Sequence, residues 1–155
     1  MTPAINAARK AKIEHQVHEY AHDPASDAYG LEAVEKLGVP AERVFKTLIV
    51  SLDNRELAVG VVPVSCMLSM KRMAKAAGAK KAAMADPSDV ERVTGYVLGG
   101  VSPLGQKKRL RTIIDISAEA FPTIYVSAGR RGLQIELNPR DLQKITGGTI
   151  FEISQ

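Results

Sequence analysis

The chain carries one cysteine, Cys66, and no tryptophan among its 155 residues. A lone thiol cannot close an internal disulfide; it suits a reducing compartment, and the cytoplasm is the expected location. No apolar run approaches the roughly 20 residues that a membrane-spanning helix needs. The opening Met1-Thr2-Pro3-Ala4-Ile5-Asn6 shows neither the charged start nor the apolar stretch of an export signal. Four tyrosines and three phenylalanines are too few for a platform on which single-stranded bases stack. Metal chemistry is equally ill provided. The three histidines, His15, His18 and His22, stand close together, yet there is no HExxH and no pair of cysteines. On a strand, His15 and His18 point to opposite faces and cannot share an ion. No metal and no cofactor is therefore expected. A GxSxG elbow is missing too, and Cys66, within Val64-Ser65-Cys66-Met67-Leu68, has no base nearby in sequence and reads as a small packing residue.

What is present describes one globular domain over residues 1–155, 45% hydrophobic and 25% charged. A chain of this length buries roughly 70% of its unfolded surface, enough for a core without staples. The net charge is +4 and the isoelectric point about 9.3. The positive residues gather in three groups: Lys71, Arg72, Lys75, Lys80 and Lys81; then Lys107, Lys108, Arg109 and Arg111; then Arg130 and Arg131. Such groups suit a phosphate-bearing partner, although solvated faces on unrelated elements would look the same.

Periodicity and punctuation predict a mixture of elements. Thr2-Pro3 opens a helix whose Ile5, Ala8 and Lys12 stem face inward. His15 to Tyr20 alternates as a short strand, and Leu31 to Leu37 is a helix stopped by Gly38. Val44–Leu52 and Glu56–Val64 read as a hairpin around Asp53-Asn54-Arg55, apolar enough to be covered on both faces. Ser69 caps a helix ending at Gly78; Asp86-Pro87 starts another to Thr94; Asn138-Pro139 starts a third to Ile145. Further strands fall at Ile113-Ile114, Thr123–Ser127, Gly132–Leu137 and Thr149–Ile153. Strands and helices do not alternate strictly, which points to an α+β domain around a mixed, strongly curved sheet.

Two features stand out against this background. Gly99-Gly100-Val101-Ser102-Pro103-Leu104-Gly105-Gln106-Lys107-Lys108-Arg109 is a glycine-punctuated loop running into cations. Its spacing imitates the start of a nucleotide-binding GxxxxGK[ST] loop, but Gln106 occupies the lysine's place and Pro103 interrupts the cradle. A tight turn set by Ser102-Pro103, or a ribbon of amides facing a carbonyl or phosphate oxygen, both remain open readings. The second feature is Lys46 in Val44-Phe45-Lys46-Thr47-Leu48-Ile49-Val50. An ammonium in an apolar series needs a partner or a task, unless it snorkels to a sheet edge.

These segments, with Tyr20 before His22-Asp23-Pro24, Ala85-Asp86-Pro87, Thr94-Gly95-Tyr96 and Ile124-Tyr125-Val126-Ser127, resemble the YbaK family, free-standing homologues of the editing domain of bacterial prolyl-tRNA synthetase. The resemblance runs in unbroken order from residue 2 to about residue 145. It implies a compact α+β domain with a barrel-like mixed sheet and a metal-independent hydrolase that removes wrongly attached cysteine from tRNA(Pro). The partners it implies are the acceptor end of tRNA(Pro) and prolyl-tRNA synthetase, with neither membrane nor DNA. The family's essential lysine falls on Lys46, and its pocket residues fall on Tyr20, Thr47, Gly99, Gly100, Ser102 and Ser127. Many relatives have an aspartate where this chain has Gln134; Glu136, on the same strand face, is a candidate to replace it. Lys107, Lys108, Arg109 and Arg130 are the expected contacts to tRNA phosphates. A deacylase for another small amino acid such as alanine, or a non-catalytic aminoacyl-tRNA-binding module, would use the same residues.

Overall fold

The computed structural model describes residues 1–155. Helix α1 (Pro3–Lys10) begins where Thr2 accepts a hydrogen bond from the Ile5 amide, 3.2 Å, with Pro3 in the first turn. It buries Ala4, Ile5 and Ala8, but ends before Lys12, which is exposed in a left-handed turn, φ 58°. Strand β1 (His15–Glu19) follows, then α2 (Tyr29–Leu37), closed by Gly38 at φ 66°. The hairpin of β2 (Phe45–Leu52) and β3 (Glu56–Pro63) turns through Asp53 and Asn54, both at positive φ. The Asp53 carboxylate fixes this turn by accepting the amides of Lys80, 3.1 Å, and Lys81, 2.8 Å.

Helix α3 (Met70–Ala77) starts at Ser69, whose hydroxyl accepts from the Arg72 amide, and leads to the short strand β4 (Ala82–Met84). Helix α4 (Pro87–Thr94) starts at the expected place, but the Asp86 side chain makes no capping bond. After the glycine loop come β5 (Arg111–Asp115), β6 (Ile124–Ser127), β7 (Leu133–Leu137), α5 (Pro139–Thr146) and β8 (Thr149–Phe151). Strand β4 was not foreseen. Ala82-Ala83-Met84 has little strand preference of its own and is held by pairing with Val50–Leu52.

The α+β architecture is as expected, and the strands form two sheets. One is mixed, in the order β4-β2-β3-β5-β8, with β5 and β8 joining in parallel. The other is antiparallel, β1-β7-β6. A single parallel bridge, Val44 to Tyr125, joins them, and the strands do not close into a barrel. Apolar side chains cover β2 and β3 on both faces. Phe45, Ile49, Val59 and Val61 belong to the main core with Ile124, Val126, Ile135 and α1. Val50, Leu52, Ala58 and Val62 pack into a second core with Met73, Ile113 and Ile153. This accounts for the near-continuous apolar sequence of both strands.

Candidate active site

At the seam between the sheets lies a cleft of about 360 Å³. Strand β2 contributes Lys46 and Thr47, β6 and β7 contribute Ser127 and Gln134, and Tyr20 enters just past β1. The start of α2 supplies Tyr29 and Leu31, and the loop after α4 supplies Leu98, Gly99 and Val101. Tyr20 is seated by its amide, which donates to the Gly132 carbonyl at 2.9 Å. Gly132 is at φ 84°, and a Cβ there would stand 2.7 Å from the Tyr20 carbonyl oxygen, so the approach requires glycine.

Lys46 is half-buried and forms no ion pair; the chain's salt bridges all lie elsewhere. Burial holds its ammonium below the usual lysine range, with Cys66 nearby acting weakly in the opposite direction. Two polar atoms share its predicament. Thr47 Oγ1 and Gln134 Oε1 are buried without a hydrogen-bond partner, and both residues line the cleft. An unpartnered buried oxygen costs about 1–3 kcal/mol, so two beside an unpaired cation mark a surface built to receive something polar. The amides of Gly99 and Val101 likewise donate to no acceptor within the chain. Burial also raises the Tyr20 phenol above its ordinary range, leaving it a neutral hydroxyl at physiological pH.

Not every expected residue belongs to the cleft. Gly100 is buried beside it, where its amide donates to Val97 at 3.0 Å. A Cβ on Gly100 would meet the Arg130 Cα at 2.8 Å, so this glycine serves packing. Ser102 is fully buried, and its hydroxyl accepts from the Leu104 amide at 3.2 Å, which makes it the local bend. Glu136 also lies apart, accepting from Thr123 and from His18 Nε2 at 2.9 Å, with Arg43 at 3.6 Å. Burial opposes its ionisation, but the Thr123 and His18 bonds outweigh this and hold it below the usual glutamate range. It is tied into that cluster and does not replace an aspartate at position 134.

Lys107, Lys108 and Arg109 are exposed and free of ion pairs. Lys108 and Arg109 border a different depression, of about 230 Å³, with Thr112 and Thr146. Arg130 points outward to Glu19, 2.7 Å away, whereas its neighbour Arg131 lines the cleft. The histidines are dispersed: His15 bonds the Ile13 carbonyl, His18 meets Glu136 and His22 meets Glu32.

Against known proteins, the model of the "Aminoacyl-tRNA editing domain" family matches residues 22–145. The chain belongs to this family. A curated relative from Enterococcus faecalis, EbsC, provisionally named a Cys-tRNA(Pro)/Cys-tRNA(Cys) deacylase, is 38% identical over 99% of this chain and 93% of its own. The uncharacterised YwhH of Bacillus subtilis is 29% identical over 77% of this chain and 76% of its own. A solved structure described as a provisional trans-editing enzyme for prolyl-tRNA synthetase superposes with a TM-score of 0.86 at 21% identity, covering 99% of this chain and 95% of that one. That of hypothetical protein APE2540 gives 0.87 at 24% identity, covering 99% of both chains, and likewise shares the fold.

As an aminoacyl-tRNA editing domain, the chain is a hydrolase acting on the ester between an amino acid and tRNA. No helix is long and apolar enough to cross a membrane. Such an ester is already activated, and what its hydrolysis requires is a held carbonyl and charge placed for the oxyanion. The cleft holds a cation, two amides without an acceptor and two unpartnered oxygens. Tyr29 and Arg131, which complete its wall, escaped the sequence reading. Gly99 makes room for both, since a Cβ there would stand 2.7 Å from Arg131 Nε and from Tyr29 Cε2.

Proposed function

We propose that this editing domain acts in trans to remove cysteine from tRNA(Pro), with the substrate's own thiol as nucleophile. The observation that carries the reading is chemical: no carboxylate, imidazole or thiol lines the cleft. The aliphatic hydroxyls that do line it, Thr47 and Ser127, have no carboxylate or imidazole in the lining to activate them, which fits a substrate that brings its own nucleophile. In the first step the cysteinyl sulfur forms a bond to its own carbonyl carbon and the ester C–O bond to the ribose breaks. The thiol proton passes to the departing ribose oxygen. Water then opens the four-membered thiolactone to free cysteine. Lys46 faces the developing negative charge, the Gly99 and Val101 amides serve as oxyanion donors, and Thr47 and Gln134 take the α-amino group. Proximity of this kind is worth roughly 7–11 kcal/mol, and each oxyanion donor adds about 3 kcal/mol.

The name of the Enterococcus faecalis relative supports the substrate. The solved trans-editing enzyme, described as serving prolyl-tRNA synthetase, supports that synthetase as the partner presenting the tRNA in the cytoplasm. Lys107, Lys108, Arg109 and Arg130 then meet acceptor-stem phosphates without reading sequence. The test is deacylation of labelled Cys-, Ala- and Ser-tRNA(Pro) by the wild type and by Lys46→Ala. Loss of cysteine alone, abolished by the substitution, is the expected result. Equal release of all three amino acids overturns the thiol mechanism, and full activity in Lys46→Ala overturns the site.

A further inference from the structure

Arg131 is the second cation of the cleft, and it is built in with unusual care. Its guanidinium carbon lies 3.7 Å from the centroid of the Tyr29 ring, and Nη2 donates to the Tyr29 hydroxyl. Nη1 faces His22 Nε2 at 3.4 Å. The other nitrogen of that imidazole, Nδ1, is 2.6 Å from Glu32 Oε1, and Glu32 Oε2 accepts from the Asp23 amide at 2.9 Å. Glu32 thus fixes the ring of His22 through Nδ1, with Nε2 turned toward Arg131. A Cβ on Gly99 would stand 2.7 Å from Arg131 Nε and 2.7 Å from Tyr29 Cε2, so the loop wall is cut back for this pair.

None of the groups touching the guanidinium is a carboxylate, and Arg131 forms no ion pair. Its orientation is fixed by the Tyr29 ring and hydroxyl and by the His22 ring, with no carboxylate against it, while its remaining N–H donors stay available. An arginine held in this way suits a tetrahedral oxyanion, which it can grip with two parallel bonds. In an aminoacyl-tRNA the anion nearest the ester is the phosphodiester on the 5′ side of the terminal adenosine, with one ribose between the two. Lys46 and Arg131, on walls of one cleft, offer the matching pair of positive charges. Leu31 and Leu98 also border the cleft and stand open to solvent, 56% and 51% exposed, an apolar lip for the terminal base.

We propose that Arg131 binds the terminal phosphodiester of the tRNA, so that the cleft recognises the 3′ nucleotide as well as the amino acid; this rests on the editing reading of the same cleft. The experiment compares binding of adenosine and of the dinucleotide cytidylyl-(3′→5′)-adenosine, which adds the phosphodiester together with a cytidine, by NMR titration; the Arg131 variants separate the two additions. Wild-type protein should prefer the dinucleotide about tenfold, in line with a charge-assisted bidentate contact. Arg131→Gln should erase that preference, and Arg131→Lys should restore part of it. Thermal melting of both variants checks that they fold. A preference that survives in Arg131→Gln, or that is absent from the wild type, overturns the assignment. Inability of the wild type to deacylate any aminoacyl-tRNA would count against the editing chemistry, and the dinucleotide comparison would still decide the role of Arg131.

Discussion

Gly99 lies so close against the ring of Tyr29 that a methyl group on it would stand 2.7 Å from Cε2. Gly99→Ala is therefore expected to push Tyr29 and Arg131 out of place. The positive φ of 88° adds strain of roughly 1–2 kcal/mol for any residue with a Cβ. A denaturation midpoint lowered accordingly, with deacylation reduced further than stability explains, is the expected pair of results. Wild-type activity in this variant would show that the wall tolerates displacement.

Lys46 should make the fold less stable at neutral pH. Burial lowers the pKa of its ammonium in the folded state, so the unfolded chain binds that proton more tightly. The cost is fully present below the folded pKa and disappears as pH rises through it toward the ordinary lysine value. Lys46→Met is expected to raise the melting temperature at pH 7 and to remove deacylation. The stabilisation should shrink when melts are repeated at alkaline pH.

The same lowered pKa shapes the rate. If the ammonium is the working form, activity rises with pH as the substrate thiol ionises and falls as Lys46 loses its proton, earlier than an exposed lysine would. Lys46→Arg keeps its charge throughout. Whatever activity it retains should lack the alkaline fall, as read from kcat/KM against pH. A falling limb unchanged in the arginine variant would assign that titration to another group.

Ser102 offers a contrast. Its hydroxyl is buried and serves only the Leu104 amide, away from the cleft. Ser102→Ala should lower stability by about 1–2 kcal/mol and leave the choice among Cys-, Ala- and Ser-tRNA(Pro) as it was. A change in amino-acid preference would return Ser102 to the site.

Much of the backbone was legible because its signals are local. Ser69 and Gly78 bracket α3, Thr2-Pro3 starts α1, and Asp53-Asn54 turns the β2–β3 hairpin, each through the chemistry of one or two residues. Lys46 was conspicuous for a similar reason, as a charge out of place in an apolar strand. Arg131 was not, because nothing in the order Arg130-Arg131 tells which guanidinium turns inward. That depends on the left-handed residues Gly129 and Gly132 on either side and on Tyr29, a hundred residues earlier in the chain. Ser102 and Gly100 stand outside the cleft lining for a different reason: a motif holds residues for the shape of a loop as well as for contact with a ligand.

The joint between the sheets bears on how such a cleft changes its diet. Lys46 and Thr47 come from the mixed sheet, Ser127 and Gln134 from the antiparallel one, and only the Val44–Tyr125 bridge stitches the strands together between them. Replacements on β6 and β7 can thus reshape their side of the cleft while Lys46 and Thr47 on β2 keep their register.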